Sequence, residues 1–444
     1  MNEFRHTSRL DFSPQQVYDW HLRAGAFPRL VPPWAPVRLL EGAPTIEEGS
    51  LRRLGLGPGP LQTHWVALHR DFEPGRQFVD EQLHGPFSSW VHTHRFEPEQ
   101  DGCRLDDRIE YRFPLGLPLA PLFRPELERM FFYRHQRTRR DLERHQGVAP
   151  FKVAISGASG LIGSGLAAFL QGGSHEVLSL VRHQPANDHE VRWLPDTDTA
   201  ALEGVEAVVH LAGESVAGLW TRARKSRILE SRRQGTLTLC RALAQLKKPP
   251  RVLVCASAVG YYGHRGEQLL DETSPSGDGF LAEVCRHWEE ATEPARAAGI
   301  RVVNLRIGVV LTPAGGALGA MFLPFWLGLG AVVGSGQQYL SWISHDDLIG
   351  LIHHALVNEE LEGPVNAVGP EPVTQAEFAS TLGRVLRRPV LARAPEWLLR
   401  LVLGEASAIV LESTRVLPRR AVASGFSFYS RDLESALRWE LGRP

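Results

Sequence analysis

Lysine is almost absent from this chain, although positive charge is plentiful. Of its 49 lysine and arginine residues, the lysines are Lys152, Lys225, Lys247 and Lys248. Chemistry that needs a lysine side chain must therefore use one of these four, and the long sequence after Lys248 offers none. The shortage of lysine therefore limits which residues can act in catalysis.

The small number of cysteines and the near-zero net charge further restrict the class of protein. The four cysteines, at positions 103, 240, 255 and 285, lack the spacing of a metal site or a disulfide framework. We therefore expect a reducing, cytoplasmic environment and no metal centre. The formal net charge of −1 leaves no strongly basic face, so a nucleic-acid partner is not expected.

Hydrophobic targeting segments are also lacking. Residues 1–12 contain no apolar h-region, so no secretory signal is expected. Residues 307–345 carry no Asp, Glu, Lys or Arg, but Pro324 and several glycines interrupt them. We interpret them as a loop and helix lining a pocket, with an apolar lid-like segment at 315–334, and expect no stable membrane insertion.

The most specific motif present is a glycine triplet after an apolar strand. Residues 153–163 read VAISGASGLIG, in which three glycines are spaced three apart. The first permits a tight turn, the second lets backbone approach a pyrophosphate, and the third lets the following helix pack on the strand. That helix, predicted over about 162–170, would present its free N–H groups to the phosphates. The predicted cofactor-binding residues of this turn are Gly157, Ser159, Gly160, Leu161, Ile162 and Gly163.

The residue after the second strand predicts which dinucleotide binds. The strand VLSLV, at 177–181, follows at the spacing of a βαβ unit, and the next residue is Arg182. A carboxylate at this position favours NAD, whereas a guanidinium can pair with the 2′-phosphate of NADP. The sequence therefore predicts NADP, with NAD as the alternative.

Residues upstream of 146–151 have a different organisation. Polar and apolar residues alternate in short segments such as SWVHTHRF and DRIEYRF, which predicts an antiparallel sheet. Helices are predicted at 13–23, capped by Ser13, and at 125–145, with Leu127, Met130, Phe131 and Leu142 near one stripe.

This order of elements resembles the START-like helix-grip fold of polyketide cyclase and coenzyme-Q-binding proteins, over about residues 3–147. In that family the sheet wraps the long helix and encloses an apolar cavity. The resemblance therefore implies a domain at 1–148 that binds an apolar ligand, with a purely structural accessory domain as the alternative.

After residue 181 the α/β alternation continues, with strands predicted at 205–213, 251–263 and 301–311 and a helix at 222–246. Through HLAG at 210–213, Ser257 and LRIGVVL at 305–311, the chain resembles the extended short-chain dehydrogenase/reductase superfamily, the NAD-dependent epimerase/dehydratase group. The resemblance implies that the HLAG turn lies beside the nicotinamide ribose and that Ser257 binds the reacting oxygen. Further cofactor or anion contacts are then expected from Leu211, Ala212, Gly213, Ser257 and Arg306.

Several longer blocks resemble one branch of that group, the epimerase-like proteins sometimes described as cell-division-inhibitor-like. These blocks are HLAGESV, LWTRARKSRILESR, ASAVGYYG, FLAEVCRHWE, GGALGAM and YLSWISHDDL. The resemblance covers about 151–440. It implies a Rossmann domain with a doubly wound parallel sheet at 151–385 and, at 386–444, a small C-terminal α/β domain of unknown function typical of the branch.

The chain departs from the wider superfamily at the catalytic helix. Those enzymes use a Tyr and, four residues later, a Lys that together exchange a proton with the substrate. Here the helix reads GFLAEVCRHWEE, and neither register, Phe280 with Val284 or Leu281 with Cys285, supplies Tyr or Lys. The usual Tyr/Lys dyad is therefore missing from this helix.

Several side chains are candidates to replace the dyad. The catalytic candidates are Ser257, Tyr261, Tyr262 and Cys285. Glu283, Glu289 and Lys225 offer charged alternatives, although solvated helix faces explain most such residues. The residues at 345–347 are better interpreted as the cap of a helix that starts near Asp346.

Two functions from different classes fit these observations. The first is an NADP-dependent oxidoreductase or isomerase, of epimerase/dehydratase type, that acts on a small molecule, with an apolar compound as one alternative. The second is a non-catalytic NADP-binding regulatory protein or carrier of a hydrophobic ligand, which the missing dyad favours. A homodimer is an open alternative for the oligomeric state.

Overall fold

The computed structural model describes residues 1–57, 59, 62–194 and 199–443. These residues form two compact units. The first comprises Met1–Pro150, Ala167–His175 and the C-terminal residues from Gly442, and the second comprises Phe151–Leu166 and Glu176–Leu441. Each unit is built on a large sheet of its own.

The first unit contains a seven-stranded antiparallel sheet. Its strands are β1 (Asn2–Leu10), β2 (Val37–Glu41), β3 (Leu51–Leu56), β4 (Thr63–Glu73), β5 (Gln77–His84), β6 (Ser89–Glu99) and β7 (Gly102–Arg112). They pair in the order β1-β7-β6-β5-β4-β3-β2. The alternating sequence pattern corresponds to alternating burial of side chains along the strands. On β6 the side chains of Trp90, His92, His94 and Phe96 are buried, whereas those between them are not.

Three helices accompany this sheet. They are α1 (Pro14–Leu22), α2 (Ala26–Leu30) and α3 (Ala120–His145). Ser13 caps α1 as predicted, since its hydroxyl accepts a hydrogen bond from the Gln16 backbone N–H. The long helix α3 begins at Ala120, five residues before the predicted start. Pro121 lies in its first turn, where the N–H groups need no partner, and Pro125 lies inside the helix. The predicted helix-grip arrangement is confirmed.

The second unit is built on parallel strands. Its strands are β8 (Lys152–Ser156), β9 (Glu176–Val181), β10 (Glu190–Arg192), β11 (Ala207–His210), β12 (Val252–Ala258), β13 (Leu269–Leu270), β14 (Arg301–Ile307), β15 (Val309–Leu311), β16 (Ala331–Val333), β17 (Tyr339–Leu340), β18 (Trp342–Ser344), β19 (Gly363–Ala367), β20 (Val373–Thr374), β21 (Ala392–Ala394) and β22 (Arg415–Val416). Seven of them form one parallel sheet in the order β10-β9-β8-β11-β12-β14-β19. The order reverses direction between β8 and β11, so the predicted doubly wound sheet is confirmed.

Helices follow most of these strands. They are α4 (Leu161–Gly172), α5 (Arg222–Ala244), α6 (Phe280–Glu290), α7 (Glu293–Ala297), α8 (Gly316–Trp326), α9 (His345–Val357), α10 (Gln375–Leu386), α11 (Glu396–Leu403), α12 (Ala408–Leu411), α13 (Arg419–Ala423) and α14 (Leu433–Glu440). None of the helices that the structure describes combines the length and hydropathy that a membrane crossing requires.

The segment predicted as one strand at 301–311 is two strands. Gly308 separates β14 from β15, and the Val309 N–H donates to the Ser341 carbonyl at 2.8 Å. As a result β14 stays in the large sheet between β12 and β19, whereas β15 pairs with β18. The break places Arg306 at the carboxyl end of the central sheet, beside Ser257 on β12.

Candidate functional site

The glycine turn lies where β8 ends, at the point where the strand order reverses. Gly157 has φ of +77°, which favours glycine, and a side chain there would lie 3.0 Å from the backbone of Leu211 and Ala212. The Leu211 N–H donates to the Ser156 carbonyl at 3.0 Å and so joins the HLAG turn to the glycine turn. Both predicted cofactor segments therefore meet at one edge of the sheet.

The other two glycines have separate tasks. A Cβ on Gly163 would lie 2.2 Å from the Gly157 carbonyl oxygen, so only glycine lets α4 pack so closely on the turn. At Gly160 a Cβ would meet only that same oxygen, at 3.2 Å, and the rest of its surroundings are open. Ser159 and Gly160 are exposed, while Leu161 and Ile162 are half-buried, and α4 begins at Leu161, one residue earlier than predicted. The turn thus leaves space for a group at the helix N-terminus.

Arg182 lies directly after β9, as predicted, and its side chain is exposed. Among the residues that the structure describes, no ion pair includes Arg182, so its guanidinium is available to an anion from solution. The arginine stands at the position from which the adenosine ribose is contacted in this type of fold.

His210 supports the turn from beneath. Its Nδ1 lies 2.6 Å from the Ser156 hydroxyl and its Nε2 lies 3.0 Å from the Thr236 hydroxyl. Burial, and to a smaller degree the charge of Arg232, lowers the pKa of His210 to about 4. This neutral imidazole, with a hydrogen bond at each ring nitrogen, is therefore part of the scaffold.

Ser257, at the carboxyl end of β12, is bound to a carboxylate. Its hydroxyl donates to Glu289 Oε1 at 2.8 Å. Arg306 donates to the same carboxylate twice, from Nε to Oε1 at 2.8 Å and from Nη2 to Oε2 at 2.9 Å. Sequence reasoning named all three residues but did not join them, because Glu289 comes from α6 and Arg306 from β14. The fold thus assembles a buried Ser–Glu–Arg cluster where the reacting oxygen is expected.

The two adjacent tyrosines occupy different environments. Tyr262 is fully buried, donates to Asn366 Oδ1 at 2.7 Å and accepts from Arg306 Nη1 at 3.0 Å. Burial raises the pKa of Tyr262 to about 12, so this phenol is a neutral structural group at neutral pH. Tyr261 is half-buried, and its ring stacks against the Arg306 guanidinium at 3.4 Å.

Cys285 lies on α6, one turn before Glu289. Its thiol lies 3.6 Å from the Ala258 carbonyl oxygen. Burial, followed by the charge of Glu289, raises the pKa of Cys285 to about 11. The thiol is therefore protonated at neutral pH and lacks the ionised form that a nucleophile needs.

The remaining charged candidates point away from this cluster. Lys225 donates to Glu405 at 2.6 Å, and Glu283 is exposed on α6. Ser344 caps α9 through the Asp347 N–H, so residues 345–347 form a helix start, as predicted.

Sequence reasoning missed Arg232. A Cβ on Gly213 would lie 3.2 Å from its guanidinium carbon, and its Nη1 donates to the Glu214 carbonyl at 2.8 Å. This arginine, on α5, supports the end of the HLAG turn. Its only signal in the sequence is its place on the inner side of an amphipathic helix.

A cavity of about 850 Å³ opens beside α6 and the C-terminal segment of this unit. Its lining includes two aromatic side chains, Trp220 and Phe280, and one arginine, Arg400. Four glutamates also line it: Glu267, Glu396, Glu405 and Glu412. Arg400 pairs with Glu396 and Lys225 pairs with Glu405, each at 2.6 Å, so among the described residues the acidic excess of the lining comes from Glu267 and Glu412.

Comparison with family models assigns three regions. Residues 153–369 match the NAD dependent epimerase/dehydratase family, residues 10–132 match the family of polyketide cyclase / dehydrase and lipid transport, and residues 394–440 match a domain of unknown function. An epimerase family protein of Mycobacterium bovis is 43% identical over 297 residues, which are 66% of this chain and 98% of the relative.

The solved structures that resemble the chain include two with more than 30% identity. A nucleoside-diphosphate sugar epimerase from Corynebacterium glutamicum has 33% identity and a TM-score of 0.84, over 99% of this chain and 90% of that one. The human epimerase family protein SDR39U1, solved with NADPH, has 34% identity and a TM-score of 0.61, over 65% of this chain and 98% of that one. The resemblances drawn from the sequence motifs are confirmed. This chain therefore belongs to the epimerase family and carries an additional N-terminal domain of the polyketide cyclase type.

Proposed function

We propose that the chain binds NADP(H) at the carboxyl edge of its parallel sheet. The open space in front of Gly160 and the N-terminus of α4 fit a pyrophosphate, and the exposed Arg182 fits a 2′-phosphate. The HLAG turn, supported by Arg232, would lie beside the nicotinamide ribose. The human relative solved with NADPH supports the same cofactor.

We further propose that the protein is an oxidoreductase or isomerase in which Ser257 and Glu289 replace the Tyr/Lys dyad. The observation that carries this proposal is the 2.8 Å hydrogen bond from the Ser257 hydroxyl to Glu289 Oε1. A substrate hydroxyl bound to Ser257 Oγ could pass its proton to Ser257 while the Ser257 proton moves to Glu289. The reverse transfer would protonate a substrate oxyanion.

Arg306 and Tyr261 hold the relay in place. The two parallel hydrogen bonds from Arg306 fix the orientation of the Glu289 carboxylate and balance its charge. Tyr261, stacked on that guanidinium, is the half-buried side chain that would flank the substrate. NADP(H), when bound, supplies the hydride-transfer chemistry that the protein side chains lack.

The non-catalytic alternative is favoured by a different observation. Tyr262 and Cys285 are held neutral, with the pKa of Tyr262 raised to about 12 and that of Cys285 to about 11. Arg306, predicted to bind an anionic group, is 3% exposed and already paired with Glu289. A protein that uses NADP(H) only to set its conformation needs none of these groups to react.

We infer that the 850 Å³ cavity, whose lining includes Phe280 of α6 but not Ser257, Glu289 or Arg306, receives the part of the substrate that lies away from the reacting oxygen. The lining has four glutamates, two of which pair with Arg400 and Lys225, and the remaining acidic charge disfavours a molecule with several phosphates. Trp220 and Phe280 offer apolar contact area instead. We therefore propose a neutral or cationic carbonyl compound or alcohol with an apolar part, rather than a nucleoside-diphosphate sugar.

Titration of the purified chain with NADPH and NADH tests the cofactor proposal. We expect tight NADPH binding that Gly160→Asp abolishes and that Arg182→Asp shifts toward NADH. Arg38→Asp, on the exposed face of β2, is the matched charge control and should bind NADPH like the unaltered chain. Equal binding of both nucleotides by all variants would overturn the assignment.

Consumption of NADPH with a panel of carbonyl compounds then separates the enzyme from the carrier. We expect turnover with neutral or cationic compounds and a 10²–10⁴-fold loss in Ser257→Ala, which is roughly the contribution of general acid–base catalysis. Ser226→Ala, exposed on α5, should retain turnover. NADPH binding without turnover of any compound would favour the carrier, and undiminished turnover in Ser257→Ala would exclude the relay.

The apolar ligand of the N-terminal domain and the homodimer stay predictions. A cavity of about 570 Å³ in that domain is lined mainly by polar and charged side chains, among them Glu73, Arg76, Arg95 and Glu97. Binding of a fluorescent fatty-acid probe and sedimentation of the purified chain would test the two predictions directly.

A further inference from the structure

The inner face of the N-terminal sheet carries an unusual group of histidines and aspartates. His92 and His94 alternate on β6, so both point inward, where the helix-grip resemblance implies an apolar cavity. Asp80 on β5 lies opposite His92, and Asp107 on β7 lies opposite His94. Strand register thus brings four ionisable side chains into two adjacent cross-strand pairs.

Asp107 is the centre of this group. It lies 2.8 Å from His92 Nε2, 2.6 Å from His94 Nδ1 and 2.6 Å from His135 Nε2 of α3. All four side chains are at least nine-tenths buried. A single carboxylate therefore orients three imidazoles and fixes which nitrogen of each ring remains for another partner.

The nitrogens left over converge with Asp80. His94 Nε2 lies 3.3 Å from Asp80 Oδ2, and because His92 uses Nε2 for Asp107, its Nδ1 is the remaining ligand atom. One ligand atom each of Asp80, His92 and His94 can be chosen so that all lie within 4.8 Å of one another. Ligands about 2.0–2.2 Å from a tetrahedral zinc ion lie about 3.3–3.6 Å apart. The 3.3 Å between His94 Nε2 and Asp80 Oδ2 already suits such an ion, and a shift of the His92 ring would complete the site.

The hydrogen bonding of this group is also incomplete. Within the described residues, Asp80 Oδ1 is a buried oxygen without a hydrogen bond, although His69 Nε2 lies 3.3 Å from it. Buried polar atoms are rarely left in this state unless something else completes the site. A cation bound between Asp80 and the two histidines would neutralise this carboxylate, while His94 Nδ1 stays turned toward Asp107.

We propose that Asp80, His92 and His94 bind a divalent transition-metal ion of the zinc class, with Asp107 as the outer carboxylate that orients both histidines. The donor set of two imidazoles and one carboxylate is typical of zinc sites that retain an open position. A metal-bound histidine that donates its other N–H to a carboxylate is the usual arrangement, and His92 and His94 both face Asp107 in this way.

The alternative is a metal-free ion-pair network. In that case His94 is protonated and lies between the carboxylates of Asp80 and Asp107, and the buried cluster only stabilises the fold. A metal would displace this proton, because a ligating histidine must be neutral. The two interpretations therefore differ in whether the full-length protein binds a metal at all.

Titration of the full-length chain with Co²⁺, after treatment with a chelator, tests the proposal. We expect one equivalent to produce visible d–d absorption, which an equivalent of Zn²⁺ then abolishes. His92→Ala and His94→Ala should lose this absorption, and Asp107→Asn should weaken binding about 10–100-fold, as outer-sphere changes do. His84→Ala, an exposed histidine on β5, is the matched control and should bind Co²⁺ normally.

Circular dichroism and urea unfolding of the same variants report whether the N-terminal sheet has folded. X-ray absorption of the Zn²⁺-loaded unaltered chain makes the result independent of any variant: two imidazoles and oxygen ligands without sulfur are expected. Failure to bind Co²⁺ or Zn²⁺, a sulfur-containing ligand set, or full binding by folded His92→Ala and His94→Ala would each overturn the proposal.

Discussion

Arg306 binds both carboxylate oxygens of Glu289 through parallel hydrogen bonds of 2.8 and 2.9 Å. The arginine side chain is 4% exposed and the glutamate side chain 14% exposed, so water screens the pair little. Such a pair adds little net stability when intact, but removal of one partner leaves a buried charge without compensation. The pair therefore links the integrity of the sheet edge to the chemistry proposed for Ser257.

Replacement of Glu289 should be costly for this reason. We expect Glu289→Gln to lower the free energy of unfolding by about 3 kcal/mol, the lower end of the range for breaking a buried pair, because glutamine retains part of the hydrogen bonding. Urea unfolding followed by circular dichroism measures the change. Glu283→Gln, exposed on the same helix, should alter stability by less than about 0.5 kcal/mol. Equal effects of both changes would contradict the structural importance of the pair.

The close contact at Gly163 leads to a prediction about the glycine turn. Since a Cβ at this position would lie 2.2 Å from the Gly157 carbonyl oxygen, Gly163→Ala must displace α4 or the turn. We expect an unfolding free energy lower by about 1–3 kcal/mol, as for overpacking, together with weakened NADPH binding.

Gly235 provides the matched control within another helix. It lies inside α5, and a Cβ there would meet nothing within 4 Å. Gly235→Ala should therefore stabilise the chain by about 0.5–1 kcal/mol, because alanine has the higher helix propensity. Thermal unfolding of Gly163→Ala and Gly235→Ala measures both changes in stability. Destabilisation by Gly235→Ala would show that helix propensity does not control stability at that position.

Burial also predicts how the thiols react. All four cysteines are buried, and the pKa of Cys285 is raised to about 11. We expect no rapid labelling by a thiol reagent at pH 7 in the native chain and four labelled thiols after unfolding. Cys285→Ala should retain NADPH binding and any turnover. Rapid native labelling at Cys285, located by mass spectrometry, would instead restore it as a catalytic candidate.

The sequence predicted local features better than long-range partnerships. The tight turn at Gly157 and the close helix packing at Gly163 follow from spacing along one strand, one turn and one helix, and the structure shows both, whereas the role of Gly160 at a pyrophosphate stays a prediction. The contact between Glu289 and Arg306 depends on how α6 packs on β14, which no local pattern encodes. Likewise SWVHTHRF shows that His92 and His94 share a face, but their proximity to Asp80 and Asp107 depends on strand register across three strands.

The histidine cluster predicts how stability depends on pH in the metal-free chain. Although burial opposes its charge, interactions with Asp107 and Asp80 raise the pKa of His94 from 6.5 to about 9. Protonated His94 then stabilises the folded state fully below pH 6.5, and this contribution is lost as the pH rises through 9.

We therefore expect the urea midpoint of the chain, measured with a chelator, to fall between pH 6.5 and 9.5. Neighbouring His92 does not contribute to this fall. Burial, followed by the charge of His94, lowers the pKa of His92 to about 4, so its titration changes the stability only at acidic pH. His94→Gln should remove most of the alkaline slope, whereas His84→Ala, in the exposed control position, should leave it unchanged. An identical slope in the His94→Gln variant would show that His94 is not the group that titrates.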